Sequence, residues 1–457
     1  MKLVYNIKDK PSFGKLIVFA FQQLLAILAA TIVVPIITNG NVNAAIEAGQ
    51  IGYDFAGFEM QQSAALFGAG IGTIVYLLFT RFKSPVFIGS SFAFLGSMAA
   101  AFAGAASAQA GYVGLIIGAA LAGLVYVVIA VIVKVAGVKW IDKLMPKQVI
   151  GPTVAIIGLS LAGSAINDLQ ASKTGTADVR ICVLVGIVTL FVVMLCSVFG
   201  KKTGKLIPFV IGILAGYAFA TVLTLIGRAT NNEALMIIDF TLFSGLKVFA
   251  VPSFSFLHAF KGFSGVNGSY IATVAMAYVP VAFVVFAEHI ADHKNISSII
   301  EKDLLEEPGL HNTLLGDGVG SIVGAFFGGC PNTTYGESIA CVAITGNASV
   351  VTILTTAVIA LVISFFNPFV VALGSIPNCV MGGVCMALYG FIAVSGLKMV
   401  QKVNLEDNRN LFVVSVILIA GIGGLSFTFG KITITSIATA LILGIIANLI
   451  LGKKAKA

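Results

Sequence analysis

The sequence predicts an all-α polytopic membrane protein with about 14 transmembrane segments, arranged as two inverted repeats of seven. Three observations lead to this fold class: the hydropathy of the chain, the distribution of its basic residues, and two proline-interrupted segments at matching places in the two halves. Hydrophobic residues make up 58% of the 457 residues and charged residues only 10%. The mean hydropathy is +1.04. Such a composition excludes a soluble globular protein.

Apolar runs of about twenty residues predict the individual spans. The first seven lie at 15–38, 61–80, 86–106, 111–135, 148–168, 181–199 and 206–227. The second seven lie at 270–291, 312–329, 334–348, 350–373, 377–397, 410–429 and 432–452. An odd number of spans in each half inserts the two halves with opposite topology, and this predicts the inverted repeat.

The lysines and arginines fit this layout when the N-terminus is placed in the cytoplasm. On that placement, 21 of the 27 basic residues fall on the cytoplasmic side. This asymmetry follows the positive-inside rule and predicts that both termini are cytoplasmic. It also explains the net charge of +8, so we expect no nucleic-acid partner. The long polar segment 231–269 between the halves is predicted to be an extracellular linker.

The third span of each half is interrupted. Pro331 removes a backbone donor, and the Asn-Thr-Thr run at 332–334 favours extended or capping conformations. In the first half, Pro85 precedes a similar stretch, and Ser90–Ala93 match Thr333–Gly336 position by position. Non-helical backbone at membrane depth is tolerated only where it is buried in protein or lines a cavity. We therefore expect the two segments to meet at a binding site, each offering the N-terminus of a half-helix.

Three acidic residues are placed to reach that site. Glu337 lies in the first turn of the second half-helix, and Glu288 and Asp292 are four residues apart, so that they share one helix face. An ionisable residue in a span is a functional candidate. His289 points to another face and is interpreted as packed, and His293 is expected to be solvated in the loop that follows the eighth span. The cluster has no further metal ligand, so no metal site is predicted.

The sequence resembles the nucleobase–ascorbate transporter family. The resemblance is carried by Ala287–Ile290, Pro331–Glu337 and Val380–Val384, and in the first half by Gln22–Leu24 and Gly89–Phe94. The family fold implies short antiparallel strands in segments 3 and 10. It also implies a core domain at 1–146 (segments 1–4) and 270–374 (segments 8–11). A gate domain is implied at 147–230 (segments 5–7) and 375–457 (segments 12–14), with the linker at 231–269.

The resemblance also implies a function and a set of site residues. It implies a secondary transporter that imports a nucleobase with a proton across the cell's inner (plasma) membrane by alternating access. The implied substrate-binding residues are Glu288, Glu337, Gly336, Tyr335, Phe92, Ala30 and Tyr389. The implied proton-coupling residues are Glu288 and Asp292. The resemblance further implies a homodimer through the gate domain, with membrane lipid as the surrounding partner.

The substrate class is narrowed but not fixed by these residues. Glu337 favours uracil or a close pyrimidine, whereas the departures from the family pattern at Ser338, Ala340 and Gly346 leave open a purine permease for xanthine or uric acid. An anion carrier of the same architecture is less favoured, because carboxylates in a site of low dielectric repel an anion. The chain offers no nucleophile–base pair, metal set or phosphate loop, so neither an enzyme nor a cofactor is expected. Without an ATP-binding motif, primary active transport is also not expected.

Overall fold

The computed structural model describes residues 3–137, 140, 144–201, 204–205, 207–429 and 432–452. Several basic residues used for the topology lie outside the described residues: Lys2, Lys139, Lys143, Lys202, Lys431, Lys453, Lys454 and Lys456. Both chain ends lie outside them as well. The cytoplasmic placement of the termini therefore stays a prediction.

The described chain is mostly helical, and its helices follow the predicted spans. In chain order they are α1 (Phe13–Glu47), α2 (Gln62–Phe79), α3 (Leu95–Ala103), α4 (Ala108–Ala136), α5 (Lys147–Ser160), α6 (Ala162–Leu169), α7 (Val179–Phe199), α8 (Pro208–Ala229), α9 (Ser255–Ala259), α10 (Gly268–Ile300), α11 (Leu310–Gly328), α12 (Gly336–Thr345), α13 (Val350–Ile363), α14 (Asn367–Gly374), α15 (Asn378–Val400), α16 (Asn408–Ile422) and α17 (Ser436–Leu451). Among the described residues, eight helical segments are long and apolar enough to cross a membrane, with α5 and α6 forming one of them. The chain is a multi-pass membrane protein, and the count of 14 crossings stays a prediction.

The predicted strands of segments 3 and 10 are confirmed. β1 (Ile88–Ser90) and β2 (Asn332–Thr334) form an antiparallel pair in which Gly89 lies opposite Thr333. The pairing continues at both ends, because Ser91 N donates to Pro331 O at 2.9 Å and Tyr335 N donates to Phe87 O at 3.2 Å. The two interrupted segments therefore satisfy each other's backbone groups inside the protein, as membrane burial requires.

Small residues allow β2 to lie deep between α2 and α11. A methyl group built on Gly72 or on Gly324 would overlap the Asn332 side chain. The Asn332 amide Nδ2 donates to Gly68 O on α2 at 3.0 Å. Glycine at these positions is thus required by the close approach of the strand rather than by backbone conformation.

Helix packing falls into two groups. In the first group, α11 packs against α2 and α4, α10 packs against α4, and α13 packs against α1 and α2. In the second group, α15 packs against α5, α6 and α7, and α16 packs against α17. The members of these groups coincide with the segments assigned to the core and gate domains, and that assignment stays a prediction.

The eighth segment is longer than the sequence predicted. α10 continues to Ile300 rather than ending near residue 291, and Glu301 closes it in the left-handed conformation with φ of 54°. His293 lies inside this helix and is completely buried. The expectation of a solvated His293 was therefore wrong, because the side chain finds polar partners within the bundle.

The helix of the span predicted at 410–429 ends earlier than expected. α16 ends at Ile422, and β3 (Phe427–Phe429) pairs with β4 (Ile432–Ile434) as an antiparallel hairpin before α17 begins at Ser436. The alternation of apolar residues with Thr428 and Thr433 has the period of a strand. The predicted span 410–429 therefore includes β3 at its end, and only its first part is helical.

Candidate functional site

A cavity of about 400 Å³ lies beside the paired strands β1 and β2, between the two groups of helices. One side is formed by the strands and by α1, α10 and α12, and the other by α5, α8 and α15. The carboxylate and lysine side chains that line it, among the residues the structure describes, are three acids and one base: Glu288, Asp292, Glu337 and Lys205. Aromatic and aliphatic side chains form much of the remaining wall.

Six of the eight predicted site residues meet at this cavity. Its lining includes Phe92, Glu288, Asp292, Tyr335, Gly336 and Glu337. The other two, Ala30 and Tyr389, are buried at 1% and 2% exposure and lie outside its lining. Tyr389 contacts the cavity indirectly, since its ring packs edge-on against the Phe92 ring with centroids 6.2 Å apart.

Both strands lead directly into short helices whose first amides lie at the cavity. Gly336 begins α12, and its preceding residue, Tyr335, makes no side-chain capping bond. Phe92 begins a short 3₁₀ turn before α3, and Ser91 likewise makes no side-chain capping bond to it. The first N–H groups of a helix have no partner within the helix, and they carry its positive dipole end. Each strand–helix junction can therefore donate to an acceptor atom in the cavity.

Gly336 leaves an open point in this wall. It is exposed to the cavity, and no heavy atom lies within 4 Å of a methyl group built on it. Its φ is not positive, so the backbone itself does not demand glycine. Because glycine has no side chain, space remains beside the first amide groups of α12.

The carboxylates of α10 lie on the face towards the cavity. Glu288 and Asp292 are one turn apart, as their spacing predicted, and both line the cavity. Asp292 Oδ2 accepts a hydrogen bond from Thr334 Oγ1 of β2 at 2.7 Å. This bond joins the acidic face of α10 to the strand pair.

An adjacent face of α10 carries two completely buried histidines, His289 and His293, that hold the helix against its neighbours. His289 Nδ1 lies 2.7 Å from Asp317 Oδ2, and His289 Nε2 lies 3.0 Å from Thr313 Oγ1, both on α11. His293 Nε2 lies 2.7 Å from Tyr76 Oη on α2. Because these contacts are directional, they fix the rotation of α10 and so the direction of its acidic face.

Sequence reasoning missed these supporting contacts. His289 was correctly interpreted as packed, but its partner Asp317 was not singled out. Asp317 could have been identified as a carboxylate within the predicted span 312–329, because an acid at membrane depth needs a partner. Thr334 was identified as part of the matched stretch, but its bond to Asp292 depends on the relative position of β2 and α10.

Tyr335 holds the two strands together beneath the cavity. Its Oη donates to Ser90 O at 3.0 Å and lies 3.3 Å from Thr31 Oγ1 of α1. Its ring lies against Gly89, where any added methyl group would overlap it. Ser338, in the first turn of α12, accepts from Phe87 N at 3.0 Å and from the Gln23 amide. The strand pair is therefore fixed to α1 on its far side.

Metal coordination is not offered by this arrangement. Across the described ranges, no group of three or more His, Cys, Asp or Glu side chains is placed to hold a metal ion. The chemistry available in the cavity is therefore hydrogen bonding by carboxyl groups and helix amides, together with contact to the Phe92 ring.

Comparison with known proteins identifies the family. The family model Xan_ur_permease, described as Permease family, matches residues 14–430. The chain belongs to this permease family. Uracil permease of Bacillus caldolyticus is 36% identical to it over 98% of this chain and 95% of the relative. Uracil permease of Escherichia coli (strain K12) is 33% identical over 97% of this chain and 93% of the relative. The resemblance to nucleobase–ascorbate transporters is thereby confirmed.

Solved structures share the fold of this permease at low sequence identity. The transmembrane domain of the cyanobacterial bicarbonate transporter BicA superposes with a TM-score of 0.59, at 15% identity, covering 97% of this chain and all of that one. The murine Slc26a9 anion transporter in the inward-facing state gives a TM-score of 0.60 at 12% identity, covering 97% of this chain and 69% of that one. These neighbours support the helical transporter fold predicted from the sequence.

Proposed function

We propose that this permease is a nucleobase transporter that imports uracil, or a close pyrimidine base, together with a proton. The observation that carries the proposal is the cavity in which Glu288, Glu337 and the Phe92 ring lie beside two strand–helix junctions. The full-length similarity to proteins named uracil permease supports the same substrate class.

The polar groups of the cavity complement those of uracil. Uracil is a flat ring with N–H donors and carbonyl acceptors. An ionised Glu337 accepts from a ring N–H, and the amides at the start of α12 donate to a carbonyl oxygen. A hydrogen bond to a charged group contributes roughly 1.5–3 kcal/mol. The Phe92 ring packs against the base, with Tyr389 supporting it from behind.

The proton is proposed to be carried by the acidic face of α10. Three carboxyl groups share one cavity, and like charges in an enclosed space of low dielectric repel each other. Protonation of Glu288 relieves this repulsion and supplies a donor for a second carbonyl of the base. Base and proton then each favour the binding of the other, which is the thermodynamic requirement of symport. Asp292, held by Thr334, adjoins Glu288 on the same face.

Alternating access is supported by the end of the helix bundle towards which the cavity extends. Ser197, Lys205 and Met399 line the cavity near the ends of α7 and α15, where the sequence is rich in lysine. The positive-inside rule assigns that end to the cytoplasm. We therefore propose that the structure represents an inward-open state and that the two helix groups rearrange to open the opposite side.

An anion substrate fits this cavity poorly, although the structural neighbours include anion transporters. Three acids and one lysine line it among the described residues, so an anion would enter a site of net negative character. Similarity at 12–15% identity shows the fold alone.

A competition experiment tests the proposed substrate. The purified protein is incubated with radiolabelled uracil and an excess of unlabelled uracil, thymine, xanthine, uric acid or hypoxanthine. We expect unlabelled uracil to displace the label most effectively, and the purines to displace it weakly. Stronger displacement by xanthine or uric acid would replace the pyrimidine assignment with the purine one.

A further inference from the structure

The predicted extracellular linker exposes far more apolar surface than an aqueous loop should. Between residues 240 and 266, eight large hydrophobic side chains are more than one-third exposed: Leu242, Leu246, Val248, Phe249, Val251, Leu257, Phe260 and Phe263. Phe249 and Val251 are 71% and 72% exposed. This stretch contains two lysines, one histidine and no arginine or acidic residue. Exposed apolar side chains at this density indicate a contact with another apolar phase or molecule.

Residues 248–250 of this stretch lie beside the segment that follows α13. Ala250 N donates to Phe365 O at 3.0 Å, and Asn367 N donates to Val248 O at 2.9 Å, so that Phe249 pairs with Phe366. α13, which ends just before this bridge, exposes Val358 and Val362. The apolar surface of the linker therefore continues a row of side chains on a helix of the transmembrane bundle.

The inner side of the linker is packed firmly onto the bundle. The Phe256 ring of α9 stacks on Phe326 of α11 with centroids 4.9 Å apart, and Phe254 packs against Phe67 of α2 at 4.9 Å. Because these contacts hold the linker in place, the exposed rings on its outer side cannot turn inwards to hide from water.

We propose that residues 240–266 lie in the lipid interface of the membrane, on the side opposite the cytoplasm. The exposed rings would enter the region between headgroups and acyl chains, about 5–10 Å deep. Residues 244–254 form no helix, and backbone of this kind is excluded from the hydrocarbon core. The headgroup level is therefore the favourable depth, and Lys247 and Lys261 are suited to phosphate groups there. The continuity with α13 selects lipid over a second copy of the chain as the occupant.

Tryptophan fluorescence in reconstituted bilayers tests this placement. The 457-residue chain has one tryptophan, Trp140, which is first replaced by phenylalanine. A single tryptophan is then introduced as Phe249→Trp, Phe260→Trp or Phe263→Trp. Glu233→Trp, at an exposed polar position of the same linker, is the matched aqueous control, and Phe254→Trp is the buried control. Each variant is measured in vesicles of ordinary phosphatidylcholine, in vesicles brominated on the acyl chain near the headgroup, and with aqueous acrylamide.

We expect the three outer-face variants to have blue-shifted emission, to lose most of their fluorescence in brominated lipid, and to resist acrylamide. Glu233→Trp should show the reverse pattern, and Phe254→Trp should resist both quenchers. Quenching by acrylamide without quenching by brominated lipid at all three positions would overturn the proposal. Resistance to both quenchers that disappears when protein is diluted in lipid would also overturn it, because it would identify a second copy of the chain as the occupant. The use of three independent positions means that one misfolded variant does not decide the result.

Discussion

Replacing Gly336 by alanine should separate binding from folding at the proposed site. A methyl group on Gly336 meets no heavy atom of the protein within 4 Å, and the residue has no positive φ. The folded protein can therefore accept the change, and glycine-to-alanine replacement at a compatible position stabilises by about 0.4–1 kcal/mol. The methyl group projects instead into the space where the base is proposed to contact the first amides of α12.

The expected loss can be estimated from the hydrogen bonds displaced. A typical hydrogen bond contributes about 0.5–1.5 kcal/mol, so the loss of two amide bonds to a carbonyl oxygen would weaken binding by about 1–3 kcal/mol. This corresponds to an increase of about 5- to 150-fold in the dissociation constant for uracil. The thermal unfolding temperature should stay the same or rise.

Gly268→Ala is the matched control, because Gly268 is the first residue of α10 and a methyl group built on it also meets nothing within 4 Å. Both variants are measured by calorimetric titration with uracil and by thermal unfolding. Gly268→Ala should bind like the unmodified protein. Equal affinity of Gly336→Ala and Gly268→Ala would refute the claim that the amide groups at the start of α12 contact the substrate.

Three further substitutions test the other parts of the site. Phe92→Ala should weaken the binding of every accepted base by about 0.5–1.5 kcal/mol or more, the contribution of an aromatic pair. Phe92→Tyr should have a smaller effect. Unchanged affinity in Phe92→Ala would show that this ring does not contact the base. Glu288→Gln, a fixed mimic of the protonated acid, should keep counterflow exchange in proteoliposomes but lose accumulation driven by an acid-outside pH gradient. Normal pH-driven accumulation by Glu288→Gln would place the coupling proton elsewhere. Thr334→Val should slow uracil uptake because it removes the hydroxyl that donates to Asp292. Thr334→Ser keeps a hydroxyl and should transport uracil faster than Thr334→Val. Equal uptake by the two variants would show that the hydroxyl is not needed.

The central architecture could be predicted because it has strong local signals. Proline before an extended stretch with two hydroxyl residues in each half predicted the two interrupted segments, and β1 and β2 form an antiparallel pair there. The spacing of Glu288 and Asp292 alone was enough to place them on one face of a helix. These features depend on residues close together in the chain.

Features that depend on distant residues could not be predicted in the same way. The partners of His293 lie on α2 and in α10 itself, so its burial could not be recognised from the apolar run that ends near residue 291. The strand residues of the β3–β4 hairpin are as apolar as those of a span. A count of apolar residues therefore assigned them to spans, although their alternation has the period of a strand. Ala30 and Tyr389 were placed near the substrate by resemblance; both are buried and lie outside the cavity lining, and their role stays a prediction.

Uracil binding to the unmodified protein and to Glu337→Gln is the most direct test of the account. Glutamine keeps the size of the side chain but places an amide donor or a neutral oxygen where a carboxylate is proposed to accept from the base. The account predicts that the unmodified protein binds uracil in a calorimetric titration, and that Glu337→Gln binds it at least tenfold more weakly, a loss of about 1.4 kcal/mol or more. Equal binding of uracil by the two proteins, or no binding by the unmodified one, would contradict it.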